Sequence, residues 1–241
     1  MNDYREYFNN KTKEERFATT IKILEDNNIN YSIQKVTNNE SLGNIIVEFN
    51  HVENDEVMVI YTSNISIGML GDEISCSLLM NLILSFKDTD KHLQFVFFYQ
   101  YDIEKNQYGG YTEMGGNYYA NSSKNKIAYA IGIELEGEGK NIETCFYKNG
   151  INDDGWCDMK EEIRTLHFHN DEYDELNKDI YPNDYTISDI FEALVTIIDI
   201  AYQSNYKRNE DDFEFSISEF LDHGLFSKNV VTFLNGDEDE E

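Results

Sequence analysis

Apolar positions in the first fifty residues follow a helical spacing and then a strand-like one. A capping-box pattern at Thr12 and Glu15, followed by apolar residues three and four positions apart, predicts a helix over about 11–27. Alternating apolar and polar residues then predict strands over 29–36 and 44–49. The chain therefore opens with a helix that leads into a sheet.

The middle of the chain contains runs that are apolar on both faces. Such runs cover 57–61, 93–98 and 127–135, and they are typical of strands in the centre of a parallel or mixed sheet. The segment from Asp72 to Phe86 is apolar nearly all round, which predicts a mostly buried helix. Central strands that alternate with buried helices indicate an α/β fold.

The second half of the chain has weaker patterns. Further strands are predicted over 141–148 and 163–168, and an amphipathic helix begins near Thr186. The Gly-, Tyr- and Asn-rich stretch 104–124 is predicted to be a long loop, of the kind that acts as a lid or carries function. A short helix and a strand are predicted over 212–235.

Together these patterns predict a mixed, largely parallel central sheet sandwiched by helices. The sequence shows no internal repeat and no proline-rich linker. We therefore predict a single domain over 1–236, followed by an acidic tail over 237–241.

The charge of the chain limits its partners. With 47 acidic and 19 basic residues the formal net charge is −28. Nucleic acids and anionic membranes are polyanions, so we expect neither as a partner. The acidic residues are spread along the chain, and a basic protein partner or a cation is compatible with them. The sequence does not predict an oligomeric state.

The amino-terminal residues and the cysteines favour a cytoplasmic protein. No basic cluster followed by an apolar run opens the chain, and no apolar run approaches the roughly 20 residues of a membrane span. Cys76, Cys145 and Cys157 are far apart and odd in number, which predicts reduced thiols and no cysteine-based zinc site.

Short catalytic motifs are absent. There is no phosphate-binding glycine loop, no GxSxG and no HExxH. His167 and His169 lie close to Asp171 and Asp174 after a predicted strand. Histidines and carboxylates at a strand end can ligate a metal, and they can equally belong to a polar surface loop.

The order of segments along the chain resembles the di-zinc aminopeptidase family, the group that includes glutamate carboxypeptidase and the transferrin receptor. The resemblance covers about 11–204. It rests on strand ends, helix starts and a histidine loop in the family's order, at 43–48, 60–65, 71–76, 95–102, 131–135 and 167–171.

The resemblance implies a partial metal site. In the family, two zinc ions share a bridging aspartate and a water, and a glutamate acts as general base. Asp72 stands at the bridging aspartate, Asp102 at a ligand glutamate and Glu134 at a ligand aspartate. His167 stands at the terminal histidine, with His169 as the alternative.

Three other positions depart from the family's chemistry. Thr62 replaces the first histidine ligand, Asn64 replaces the aspartate two residues later, and Tyr101 stands at the general-base glutamate. A threonine hydroxyl is a poor zinc ligand, and a tyrosine with a pKa near 10 is a poor base at neutral pH. We therefore expect no catalytic residues and no cofactor, with zinc or another divalent cation at the partial site as the alternative.

These expectations lead to several hypotheses about function. The first is a non-catalytic aminopeptidase-like domain that acts as a binding or regulatory module. The alternatives are a divergent metal-dependent aminopeptidase or hydrolase with a rearranged or single-metal site, and an acidic immunity or inhibitor protein that binds a basic partner. If the fold were unrelated, no helix would begin near Asp72 behind a central strand that ends near Thr62.

Overall fold

The computed structural model describes most of the predicted sheet and its helices. The described residues are 4–9, 11–35, 43–53, 55–63, 72–99, 115–122, 126–135, 142–147, 165–170, 184–203 and 231–234.

Five helices and eight strands lie within these described ranges. The helices are α1 (Arg5–Phe8), α2 (Lys13–Asp26), α3 (Asp72–Phe86), α4 (Gly115–Ser122) and α5 (Asp184–Gln203). The strands are β1 (Ser32–Lys35), β2 (Gly43–Phe49), β3 (Val57–Ser63), β4 (Leu93–Phe98), β5 (Ile127–Glu134), β6 (Ile142–Tyr147), β7 (Thr165–Asn170) and β8 (Val231–Leu234).

The eight strands form one sheet in the order β1-β2-β4-β3-β5-β7-β6-β8. The pairs β4–β3, β3–β5, β5–β7 and β6–β8 are parallel, whereas β1–β2, β2–β4 and β7–β6 are antiparallel. The predicted mixed, largely parallel sheet is confirmed. We call the side where β4, β3, β5 and β7 end the carboxyl edge, and the side where they begin the amino edge.

Helices cover both faces of this sheet, as predicted. Met58 and Ile60 of β3 point into a large core shared with α2, α3 and α5. Val59 and Tyr61, on the opposite face, pack with Tyr119 of α4 in a smaller core. This alternation explains why β3 is apolar at every position from Val57 to Tyr61, since a central strand buries both faces.

Local signals in the sequence define α2 well. The Thr12 backbone N–H donates to Glu15 Oε2 at 2.8 Å, and the Glu15 N–H donates to Thr12 Oγ1 at 3.2 Å. This capping box satisfies two amide groups that the first turn of a helix leaves without partners. Asn28, with φ of 57°, adopts a left-handed conformation after the helix and turns the chain toward β1. The predicted helix is confirmed.

The prediction of a loop over 104–124 is wrong in its second part, because helix α4 forms there. Helix propensity is low in this stretch because of its glycine and asparagine residues. Tertiary contacts override that propensity: Tyr119 is buried against β4, and Gly115 is enclosed beside Tyr99. The part before Gly115 lies outside the described residues.

Other boundaries differ by a few residues. The strand predicted over 29–36 covers only Ser32–Lys35, because Ile29 packs into the core after α2. The short helix α1 was not predicted, and of the segment 212–235 only the strand β8 is described. Among the described helices, none is long and apolar enough to cross a membrane.

Candidate functional sites at the two edges of the sheet

The carboxyl edge brings several of the predicted site positions together. Glu134 is the last residue of β5, and its register partner on the neighbouring parallel strand is His169. His167 pairs with Gly132, two positions before the end of β5. By backbone position, His169 therefore lies nearer to Glu134 than His167 does.

Asp72 reaches the same edge because α3 begins there. The backbone N–H of Leu135, directly after β5, donates to the Ser75 hydroxyl in the first turn of α3 at 2.9 Å. The start of this helix therefore lies against the end of β5. The carboxyl ends of parallel strands are the usual location of sites in α/β folds.

Helix α3 starts at Asp72, behind the central strand β3 that ends at Ser63. We expected an unrelated fold to lack this arrangement. Three further predicted positions cannot be placed in this way. Asp102, Asn64 and Tyr101 lie outside the described residues.

Thr62, which the resemblance aligns with the family's first histidine ligand, is described in full. Its side chain is 1% exposed and lies within β3, on the same face as Ile60. Its Oγ1 is buried without a hydrogen-bond partner among the described residues. A catalytic zinc ion needs donors that open onto a substrate position, and an enclosed hydroxyl does not fit that role. At this position the residues do not suit the family's zinc pair.

Asn44 takes a structural position at the same edge. Its Oδ1 accepts the Tyr99 backbone N–H at 2.9 Å, and its Nδ2 donates to the Gly115 carbonyl and to Gln34 Oε1, both at 2.8 Å. The Gly115 N–H also donates to the Tyr99 carbonyl at 2.9 Å. One buried amide side chain therefore holds together the two ends of the segment 100–114.

We call these contacts among Asn44, Tyr99, Gly115 and Gln34 the Asn44 clamp. Gly115 is required for it. A Cβ atom there would lie 2.3 Å from Asn44 Oδ1 and 2.4 Å from the Tyr99 carbonyl oxygen. Such distances are far inside van der Waals contact, so no other side chain fits without moving the backbone. The clamp fixes where β4 ends and where α4 begins.

The amino edge carries a cluster that the sequence analysis did not identify. His51 Nδ1 lies 3.0 Å and His92 Nε2 lies 2.9 Å from the same oxygen, Glu48 Oε1. The three donor atoms lie within 4.8 Å of one another. We call Glu48, His51 and His92 the amino-edge triad.

Two further polar residues surround this triad. Gln94 Nε2 donates to Glu48 Oε1 at 2.7 Å, and Gln94 Oε1 in turn accepts the hydroxyl of Tyr119. Asp55 Oδ2 lies 3.9 Å from His92 Nδ1. The triad is therefore continuous with a hydrogen-bond network that reaches α4.

Opposing effects act on the pKa of Glu48. Burial raises this pKa, but hydrogen bonds from His92, Gln94 and His51, together with the charge of His51, outweigh burial and hold the pKa below its ordinary value. Glu48 is therefore a carboxylate at neutral pH, able to accept hydrogen bonds or to ligate a cation.

The sequence holds only an indirect signal for this triad. Glu48 and Gln94 are polar residues with apolar neighbours in β2 and β4, and the antiparallel register of these strands places them opposite each other. His92 precedes Gln94 by two positions. His51 returns to Glu48 through Asn50, whose φ of 48° is left-handed. The strand pairing was needed to see these residues as neighbours.

Comparison with known proteins supports the fold at low sequence identity. No family model and no curated protein sequence matches the chain. Its structure is similar to that of the Legionella pneumophila aminopeptidase LapA, with a TM-score of 0.50 and 10% identity over 72% of this chain and 62% of LapA. This likeness confirms the predicted aminopeptidase-type fold.

Two further solved structures are less similar. One is the Bacillus subtilis YxeP protein, a dinuclear metal-binding peptidase of the M20 family, with a TM-score of 0.42, 11% identity and coverage of 61% of this chain. The other is a zinc-dependent exopeptidase from Parabacteroides distasonis, with a TM-score of 0.40, 13% identity and coverage of 60% of this chain and 64% of its own. The chain spans 45% of the length of YxeP.

Proposed function

We propose that this chain is a non-catalytic domain with an aminopeptidase-type fold, and that it binds a basic protein partner. The observation that carries the first half is the enclosed hydroxyl of Thr62. The resemblance aligns this residue with the family's first zinc-ligating histidine. Without a ligand at that position, two zinc ions lack the donors that hold them over a substrate.

The charge of the chain supports the second half of the proposal. A net charge of −28 produces a negative potential that attracts cationic proteins and repels polyanions. Among the described residues, acidic side chains such as Glu53, Glu56 and Glu192 lie at the surface or partly exposed, away from the apolar core. Complementary charge speeds association and makes it sensitive to salt.

Catalysis can be tested directly. The full chain is incubated with a panel of aminoacyl chromogenic substrates and with added zinc, manganese or cobalt. The proposal predicts no turnover above that of the Asp72→Asn variant. Turnover that requires both an added metal and Asp72 would contradict it.

Binding requires a separate measurement, because lack of activity does not establish a partner. Calorimetric titration compares a folded basic protein, poly-lysine and duplex DNA as probes at two salt concentrations. We expect saturable binding of the basic probes that weakens with salt, and no binding of DNA. If none of the three probes binds, the partner part of the proposal is refuted and the non-catalytic part is unaffected.

A second function is favoured by one observation. The backbone positions of Asp72, Glu134 and His169 converge at the carboxyl edge, as a single-metal hydrolase would require. If the chain is such a hydrolase, it should bind one metal ion tightly, and the Asp72→Asn and Glu134→Gln variants should lose that ion. The same activity panel separates the two functions.

A further inference from the structure

The geometry points to a binding site for one divalent transition-metal ion, of the zinc type, at the amino-edge triad of Glu48, His51 and His92. This site lies at the opposite end of the parallel strands from the positions that resemble the aminopeptidase metal site. It does not depend on the proposed function.

The donor atoms suit such an ion. Two imidazole nitrogens and one carboxylate oxygen form a known ligand set for zinc, with a fourth position open. In tetrahedral geometry, bonds of about 2.0–2.1 Å place neighbouring donors about 3.3 Å apart. Glu48 Oε1 lies 3.0 Å from His51 Nδ1 and 2.9 Å from His92 Nε2, and all three donor atoms lie within 4.8 Å of one another. Binding therefore needs each Glu48–histidine pair to widen by a few tenths of an ångström and the two histidine nitrogens to reach the same spacing.

The ligands can make this adjustment because they differ in exposure. The side chain of His51 is 54% exposed, and that of Glu48 is 26% exposed, whereas His92 is almost completely buried. A buried histidine fixes one side of the site, and the other two ligands can move toward the ion from the solvent side. An ion can therefore enter without opening the core.

His92 supplies an independent reason for an ion. When its Nε2–H donates to Glu48, its Nδ1 is left without a hydrogen-bond partner among the described residues, and the side chain is 4% exposed. The carboxylate oxygen Oδ2 of Asp55 lies 3.9 Å from this nitrogen. An unprotonated nitrogen that faces a carboxylate is unfavourable, and buried polar atoms without partners are rare.

A metal ion on Nε2 removes this problem. Metal ligation requires a lone pair on Nε2, so the single proton of the neutral ring moves to Nδ1. The resulting Nδ1–H would lie beside the Asp55 carboxylate, which a small approach from 3.9 Å would bring within hydrogen-bond distance. A carboxylate that accepts the second ring N–H of a ligating histidine is a recurrent support of metal sites. Gln94 similarly orients Glu48 through its 2.7 Å hydrogen bond.

The site would join two separate connections of the chain. Glu48 and His51 come from the end of β2 and the turn after it, and His92 comes from the residue before β4. Asn50 already ties these connections together, because its Nδ2 donates to the Thr89 carbonyl. A bound ion would add a second cross-link at the same place.

Zinc titration of the untagged full chain, stripped of metal with a chelator, tests the inference. Excess magnesium is present, because carboxylates bind it and imidazoles do not, so nonspecific binding to the acidic surface is suppressed. We expect one zinc ion per chain at the amino edge. The His51→Ala and Glu48→Gln variants should raise its Kd by about tenfold or more.

Variants at the carboxyl edge serve as matched controls. His169→Ala removes a histidine, and Asp72→Asn removes a carboxylate, but both leave the amino-edge triad intact. We expect the zinc Kd to stay within about twofold in both. Unchanged affinity in the His51→Ala variant, or no zinc binding to the wild type at concentrations below about 1 mM, would overturn the inference.

A second readout uses the wild-type protein, so it does not depend on whether the variants fold. The ring nitrogens of the wild-type histidines are followed by NMR as zinc is added. Binding at the triad must shift the signals of His51 Nδ1 and His92 Nε2 together, at one equivalent of zinc. Shifts confined to other histidines would place the ion elsewhere and contradict the assignment.

Discussion

The two edges of the sheet carry different kinds of polar residues. At the carboxyl edge, the described side chains include an enclosed threonine and an asparagine that binds backbone groups of Tyr99 and Gly115. At the amino edge, two histidines and a glutamine converge on the carboxylate of Glu48. Among the described side chains, Thr62 and Asn44 therefore have structural positions at the edge where the fold usually places its chemistry, whereas those at the amino edge form a set of ligand type.

Among the substitutions that compare the two edges, loss of the Asn44 clamp should have the largest effect on stability. Asn44→Ala removes the two hydrogen bonds that the Asn44 side chain makes to backbone groups of Tyr99 and Gly115 in a buried position, which costs about 3 kcal/mol of unfolding free energy. Urea denaturation measures this loss. The control Gln34→Ala removes a hydrogen bond with Asn44 and an exposed one with Ser122, but no bond to a buried backbone group, and should cost about 1 kcal/mol or less. Equal losses in the two variants would show that the clamp has no special role.

The Gly115→Ala variant tests the close approach at the clamp, because two physical effects would change its stability in opposite directions. Helix propensity alone predicts that Gly115→Ala stabilises α4 by about 0.5–1 kcal/mol. The added Cβ would instead collide with Asn44 and the Tyr99 carbonyl, and we expect destabilisation by about 2 kcal/mol. Thermal and urea unfolding distinguish these outcomes, and a more stable variant would refute the close approach.

Thr62 tests whether its hydroxyl has any role at the carboxyl edge. Because Oγ1 lacks a partner among the described residues, Thr62→Val should raise the unfolding free energy by about 1 kcal/mol. The control is Thr20→Val, since Thr20 is equally buried but its hydroxyl donates to the Arg16 carbonyl at 3.0 Å. This control should give no gain. Destabilisation by Thr62→Val would indicate that the hydroxyl makes a contact the protein needs.

The smallest expected effect is a pH dependence at the amino edge of the metal-free protein. The pKa of Glu48 is lowered in the folded state, so its carboxylate stabilises the fold above the pKa of the unfolded state, about 4.3. That contribution is lost as the pH falls through the lower folded-state pKa. Urea titrations at pH 6 and at pH values below about 4 should show a smaller loss for Glu48→Gln than for the wild type. Parallel losses in both would contradict the lowered pKa.

Sequence patterns predicted the parts of the fold that depend on local periodicity. The capping box of α2 and the apolar runs of β3, β4 and β5 correspond to the described elements, because a strand buried on both faces has a simple composition. Helix α4 was missed because its residues are poor helix formers. Contacts of Tyr119 and Gly115 with distant strands hold it, and no local pattern reports such contacts.

The candidate sites show the same division. The resemblance placed Asp72 and Glu134 in positions that the topology brings to one edge. The amino-edge triad was not predicted, because Glu48 and His92 are 44 positions apart and only the β2–β4 register makes them neighbours. The burial of Thr62 likewise depends on which face of β3 it occupies, which the substitution alone does not reveal.

Anomalous diffraction at the zinc absorption edge, from crystals grown with zinc and excess magnesium, tests the difference between the two edges most directly. We expect one zinc peak between Glu48, His51 and His92, and none beside Asp72 and Glu134. Two peaks close together at the carboxyl edge would mean that the catalytic metal pair survives, and would contradict the proposal that this aminopeptidase-type fold is non-catalytic.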